Sequence, residues 1–168
     1  LNQFKDSFSN YTELRVQENR NNRVNLTNGD VTGNVASTTS GVSARVFKDG
    51  NWGFSSSPDI TDDSISDVVR ASADNVQFMN KKDTTRCGIF LPETQANYEM
   101  NFTTKKDRQN QKFWLDFVKE VDGYIEKKYP ELLSRNLVLG GLDMEKSLFT
   151  SDGSESYSMT PRAHLFIM

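Results

Sequence analysis

No pair of residues constrains this chain more than Asp49-Gly50. The dipeptide sits between two well-patterned segments, Val42 to Lys48 and Asn51 to Ser57, and both of its residues tolerate the positive φ angles that a two-residue hairpin demands. Such a loop fixes the register: Lys48 faces Asn51, Phe47 faces Trp52, Val46 faces Gly53 and Arg45 faces Phe54. Side chains alternate along a strand. One face of this hairpin is therefore bulky, with Phe47, Trp52 and Phe54 beside Arg45, while the other, Val42, Ala44, Val46, Gly53 and Ser55, is small. A face of small residues lets a helix pack close. The helix is predicted to follow at once, with Thr61 as N-cap and Ile60 stapled onto Ile65. Its buried stripe would be Ile65, Val68, Val69, Ser72, Ala73, Val76 and Met79.

Other segments are read by the same rules. Tyr11 to Glu18 is predicted as one strand and Arg23 to Thr27 as the next, with Asn28-Gly29 turning a second hairpin that brings Leu26 opposite Val31. Lys81 to Lys106 shows no sustained period and is predicted as a linker, with a short buried piece at Gly88 to Leu91. A second helix is predicted from about Asp107 to Tyr129, ended by Pro130, with Trp114, Phe117, Val118, Val121, Tyr124 and Ile125 as its apolar stripe. Three strands follow: Leu137 to Leu142, Lys146 to Thr150 leading into an Asp152-Gly153 turn, and Tyr157 onward to Met168. The expected class is α+β, an antiparallel sheet of hairpins packed with a helix, then a second, smaller helix-plus-strands unit. The expected organisation is a first unit at 1–80, a linker at 81–106 and a second unit at 107–168 that is truncated at its C-terminal end.

Composition excludes several functions. Of 168 residues, 20 are basic and 23 acidic, a formal net charge of -3, with no basic stripe to track a phosphate backbone, so direct nucleic-acid contact is not expected. No apolar run approaches the roughly 18 residues of a spanning helix, no polybasic anchor is present, and the first 30 residues contain no apolar signal-peptide core. The expectation is a cytoplasmic protein without membrane contact. The chain starts at Leu1 and stops within the apolar run Ala163 to Met168, which predicts a piece of something longer.

Few residues carry chemistry. One cysteine, Cys87, excludes an internal disulfide, and one histidine, His164, excludes motifs that need two. Gly140-Gly141 and Asp152-Gly153 lack the spacing of a phosphate-binding loop and are read as turns or bulges. His164 is read as a structural or surface residue, and Cys87, beside Gly88-Ile89-Phe90, as a small buried hydrophobe and not a nucleophile. Asp62 and Asp63 suit a first helical turn, and Glu13 and Glu18 fall on opposite faces of their strand. N-x-T triplets at Asn10, Asn25 and Asn101 matter only in a glycosylating route. The aromatic hairpin face is either a binding surface or a sheet face covered by the rest of the protein. These residues yield no catalytic, cofactor-binding or metal-ligating position.

Taken together, Tyr11-Thr12-Glu13-Leu14-Arg15, then Asn28-Gly29, then the run from Gly41 to Ser56 resemble the N-terminal region of the TldD/PmbA family, which includes modulators of DNA gyrase. The helix carrying Ala71 and Ala73 fits the same pattern, and the second helix, Ser151-Asp152-Gly153-Ser154 and Arg162 to Met168 are similar to the family's middle region. The resemblance implies a zinc metallopeptidase that acts on small or unfolded peptides, as a homodimer or with a paralogue lacking the metal. Its zinc site is an H-E-x-x-x-H motif plus a later cysteine, with a zinc-activated water and a glutamate base. That motif is not in this sequence, so the fragment itself is expected to be inactive and zinc to belong to the full-length parent. This region would instead help to wall the peptide chamber and pack against the C-terminal metallopeptidase domain. Two other readings remain open, a scaffold subunit of a metal-free family member and an independent hydrolase built on Cys87 or a serine.

Overall fold

The structure, a computed structural model, describes residues 2–82, 96–101 and 109–168. A short 3₁₀ helix, Asn2–Ser7, leads into β1 (Tyr11–Thr27), β2 (Asp30–Lys48) and β3 (Asn51–Ser57), followed by α1 (Asp62–Lys82). Then come β4 (Asn97–Asn101), α2 (Gln111–Lys128), β5 (Asn136–Thr150) and β6 (Glu155–Ile167). The strands form a six-stranded sheet in the order β3-β2-β1-β5-β6-β4. This is the expected α+β class, mostly antiparallel with two helices. The pieces Cys87 and Gly88 to Leu91 lie outside the described residues.

The hairpin at Asp49-Gly50 has the predicted register, from Lys48 opposite Asn51 to Val42 opposite Ser57. Both turns sit in the left-handed region, Asn28 and Gly29 at φ 50° and 85°, Asp49 and Gly50 at 50° and 88°. Side chains that tolerate this region remove most of the steric cost of reversing the chain in two residues. The strands themselves are longer than periodicity suggested. β1 runs unbroken where two strands were expected, and β5 joins the predicted strands Leu137 to Leu142 and Lys146 to Thr150 without the break expected between them. β1 lies hydrogen-bonded between β2 and β5, and polar stretches such as Gln17 to Asn22 are extended within it, although no apolar alternation marks them. β4 likewise forms where no period exists, and Glu155 N donates to Ala96 O at its start.

Two compact units divide the chain, each assembled from pieces distant in sequence. The first comprises the described residues within 1–18, 39–101 and 145–158. Its core gathers Phe4, Leu14, Val42, Ala44, Ile65, Val68 and Val69, with Phe8, Val16 and Phe149 against it. Thr61 caps α1 as expected, accepting from Ser64 N at 3.2 Å. The small face of the hairpin brings α1 very close. A Cβ on Gly53 would lie 2.1 Å from Ser72 O and 2.5 Å from Val76 N. Ser72 Oγ donates to Ala44 O at 2.9 Å, so the buried hydroxyl joins helix to sheet. Of the predicted stripe only Met79 is misplaced, being 44% exposed near the end of α1.

The second unit comprises the described residues within 19–38, 102–144 and 159–168. Val24, Leu26, Val118, Leu137 and Leu139 form its core, with Trp114, Leu115, Val121, Ile125 and Leu165 packed on it. Asn110 caps α2, which begins four residues later than the sequence suggests, its Oδ1 accepting from Phe113 N at 2.9 Å. The buried face of α2 also differs from the expected stripe. Phe117 and Tyr124 are 37% and 59% exposed, whereas Asp122 is buried. Arg135 explains the exchange: its Nε donates to Asp122 Oδ1 at 3.1 Å, and its backbone N donates to Asn28 Oδ1 at 2.7 Å. A buried carboxylate is tolerated here because a guanidinium neutralises it and occupies its lone pairs.

Candidate functional site

The outer face of the first unit carries the richest chemistry among the described residues. Strand parity builds it: with Thr12 and Leu14 of β1 buried, Tyr11, Glu13 and Arg15 fall on the opposite side. On β2 and β3 the same parity leaves Arg45, Phe47, Trp52 and Phe54 off the core that holds Val42, Ala44 and Val46. Trp52 is 38% and Phe54 59% exposed. The aromatic face predicted from the hairpin is therefore open to solvent in this chain.

A connected cluster organises this face. Arg45 grips Glu13 with two hydrogen bonds, Nε to Oε2 at 2.5 Å and Nη2 to Oε1 at 2.9 Å. Held in that plane, the guanidinium lies 4.6 Å from the centre of the Trp52 ring. Phe47 packs on Trp52 at 5.1 Å and Tyr11 meets it edge-on at 6.0 Å. The ion pair is half exposed on its arginine side, so its direct contribution to stability is small, under about 1 kcal/mol. Its effect is to fix a flat cation on an aromatic ring, which pre-orders a contact surface. Beside it a cleft of about 180 Å³ is lined by Glu13, Arg15, Ser43, Ala44, Arg45, Phe54 and Leu148.

Tyr11 reports on this cluster. Its hydroxyl donates to Glu13 Oε1 at 3.1 Å. Burial, followed by the Glu13 charge and this hydrogen bond, pushes its pKa up from 10.0 to about 12. The folded state thus holds the phenol proton more tightly than the unfolded chain does. That stabilising contribution is complete below pH 10 and is lost as pH rises through 12. A titration followed by tyrosinate absorbance is expected to show Tyr11 ionising late, and Glu13→Gln is expected to bring it back toward the ordinary value. Tyr11 titrating unchanged in that variant would mean that Glu13 does not set it.

The remaining candidates are dispersed. His164 is exposed on β6, its ring 5.1 Å from Phe166 and lying where a side chain on Gly140 would stand, with Nε2 2.3 Å from that Cβ position. Gly140 is thus a bare platform for an imidazole within β5, and not part of a turn. Gly153, at φ 92°, does form the predicted turn, and Ser151 N donates to Thr12 O at 2.9 Å. Among the described residues no group of three His, Cys, Asp or Glu is placed to hold a metal ion. No step of zinc chemistry is therefore assigned to them. Asp122 and Arg135 escaped the sequence reading; an acid at helical spacing from Val118 and Ile125 was the available signal.

Residues 12–76 match the family model PmbA/TldA metallopeptidase domain 1. Over that stretch the chain is similar to the first domain of this family. That segment contains the cluster above except Tyr11, and also α1 up to its tight contact with Gly53. A search of curated proteins found no match. Among solved structures, TldE from Thermococcus kodakarensis aligns with a TM-score of 0.74 at 11% identity, over 98% of this chain and 37% of its own. A Thermotoga maritima protein named for modulation of a DNA gyrase gives 0.73 at 16% identity, over 99% and 42%. A protein from Bacteroides thetaiotaomicron, also named for modulation of DNA gyrase, gives 0.69 at 13%, over 97% and 38%. At such identities the likeness shows the fold. The chain spans about two fifths of the length of these structures.

Proposed function

We propose that this chain is the non-catalytic N-terminal part of a zinc metallopeptidase that acts on peptides. In this reading the Arg45-Trp52 face forms part of the wall that receives extended peptide. One observation carries the assignment of that face: a charged plane is held by Glu13 on an exposed tryptophan, with Phe54 and a cleft beside it, in the segment that matches the family. An aromatic surface with an oriented cation suits an extended chain, since rings accept varied apolar side chains while polar atoms hold the backbone. The metal and its ligands would come from the remainder of the parent, and a dimer, with itself or a paralogue, would complete the chamber.

Full-length protein tests this directly. Zinc analysis is expected to show bound metal, and peptide hydrolysis to be present in the parent and absent from the 168-residue chain. In the parent, Trp52→Ala with Phe54→Ala is expected to raise KM for extended peptides roughly tenfold while kcat changes little, the signature of lost uniform binding. An unchanged KM would remove the wall from the proposal. A metal-free, inactive parent would favour an interaction subunit instead.

A further inference from the structure

The cleft beside Arg45 differs from the aromatic surface around it in the polar groups that reach it. Its lining holds two arginines, Arg15 and Arg45, one carboxylate, Glu13, and the hydroxyl of Ser43, with Phe54 and Leu148 as apolar walls. Every one of these residues belongs to the first unit. Glu13 is engaged, both its oxygens accepting from Arg45 and Oε1 also from Tyr11. Arg15 is not. It is exposed, two residues along β1 from Glu13 and on the same side of the strand, and neither its guanidinium nor the Ser43 hydroxyl has a hydrogen-bond partner among the described residues.

Charge and size narrow what such a cleft can take. Two guanidiniums and one carboxylate leave a single positive charge, so a group with one negative charge balances the lining, whereas a cation meets Arg15 and a dianion brings excess charge up to Glu13. That attraction is local, because the chain as a whole carries a formal net charge of -3. A guanidinium presents its donors in a flat fork that matches the two oxygens of a carboxylate. The volume of about 180 Å³ is below the roughly 300 to 1,000 Å³ of pockets that enclose a whole small ligand, so the cleft has room for one side chain of a longer molecule. Phe54 and Leu148 suit the methylene stem of that side chain, and Arg15 with Ser43 its charged head.

We propose that this cleft selects an acidic side chain, glutamate or aspartate, of a bound extended peptide, with Arg15 as the residue that reads it. The proposal rests on the reading of this face as a wall that receives peptide, and adds a sequence preference to it. The probes are labelled peptides blocked at both ends, each with a single Glu stepped along a neutral sequence, together with their Gln and Lys counterparts. Their binding to the full-length parent is read by fluorescence anisotropy before turnover, and their hydrolysis is followed in parallel. At one position or more, the Glu peptide is expected to bind about fivefold or more tightly than its Gln counterpart. Arg15→Gln is expected to abolish that difference, and Arg15→Glu to reverse the preference toward the Lys peptide, a reversal that a structural disturbance would not give. Both variants are expected to keep the wild-type circular dichroism spectrum, since the Arg15 side chain is exposed. A Glu preference that survives Arg15→Gln, or none at any position while the peptides bind and are cleaved, would overturn the proposal and leave the peptide wall standing. A parent that binds none of the peptides would overturn both. An Arg15-dependent preference without hydrolysis would uphold the cleft's selectivity and overturn the peptidase reading alone.

Discussion

Gly53→Val is expected to destabilise the first unit by on the order of 3 kcal/mol or more, among the largest effects of any single substitution here. The added Cβ would stand 2.1 Å from Ser72 O and 2.5 Å from Val76 N, and both are backbone atoms inside a helix, which cannot swing aside as a side chain would. Relief requires α1 to lift from the sheet. That movement would break the Ser72 to Ala44 hydrogen bond and expose Val76, which is fully buried. Even alanine at this position meets the same two atoms. Gly123→Ala is the matched control: nothing lies within 4 Å of its Cβ, and a glycine within α2 costs helix stability, so alanine should stabilise by about 0.5 to 1 kcal/mol. Urea midpoints at constant m-value measure both. A loss below about 1 kcal/mol for Gly53→Val would show that helix and strand do not meet so closely.

The second large effect is Leu137→Ala, expected to cost about 2 to 5 kcal/mol, since Leu137 is fully buried in the core of the second unit and its removal leaves a cavity. An inversion on α2 accompanies it. Val118→Ala is expected to cost more than Phe117→Ala or Tyr124→Ala, although valine loses far fewer atoms. Val118 is fully buried, while the two aromatic residues keep much of their surface in water. If Phe117→Ala proved the most damaging of the three, α2 would be packed by the stripe that simple periodicity suggests.

That inversion shows where sequence reading reaches its limit. Apolar residues at helical spacing identify a helix, but a broad apolar arc of Trp114, Phe117, Val118, Val121, Tyr124 and Ile125 leaves the rotation of the helix undetermined. Arg135 settles it. Its guanidinium needs a carboxylate partner at the Asn28 turn, and turning Asp122 inward to supply one moves Phe117 and Tyr124 outward. The pairing spans 13 residues and joins a helix to the residue just before β5, so no local pattern announces it. β1 teaches the same lesson in another form, because Gln17 to Asn22 is extended on account of its neighbours in the sheet and not its own alternation.

The aromatic face was more legible than the cluster upon it. Turn chemistry at Asp49-Gly50 determines the register, and register with parity determines that Arg45, Phe47, Trp52 and Phe54 share one side. Glu13 and Tyr11 belong to another strand. Their approach to Arg45 depends on β1 lying beside β2, which the sheet order decides.

By itself, then, the sequence determined the two hairpin turns, the small face that admits α1, the class of fold and the lack of a local metal-binding motif. Each of these follows from residues within a few positions of one another, where sterics and strand or helix period act directly. Only the tertiary structure decided the rotation of α2, the length of the strands and the Glu13-Arg45-Trp52 cluster. Those depend on which distant segments become neighbours, and the hydrogen bonds, ion pairs and excluded volume that arbitrate between them exist only once the chain has closed on itself.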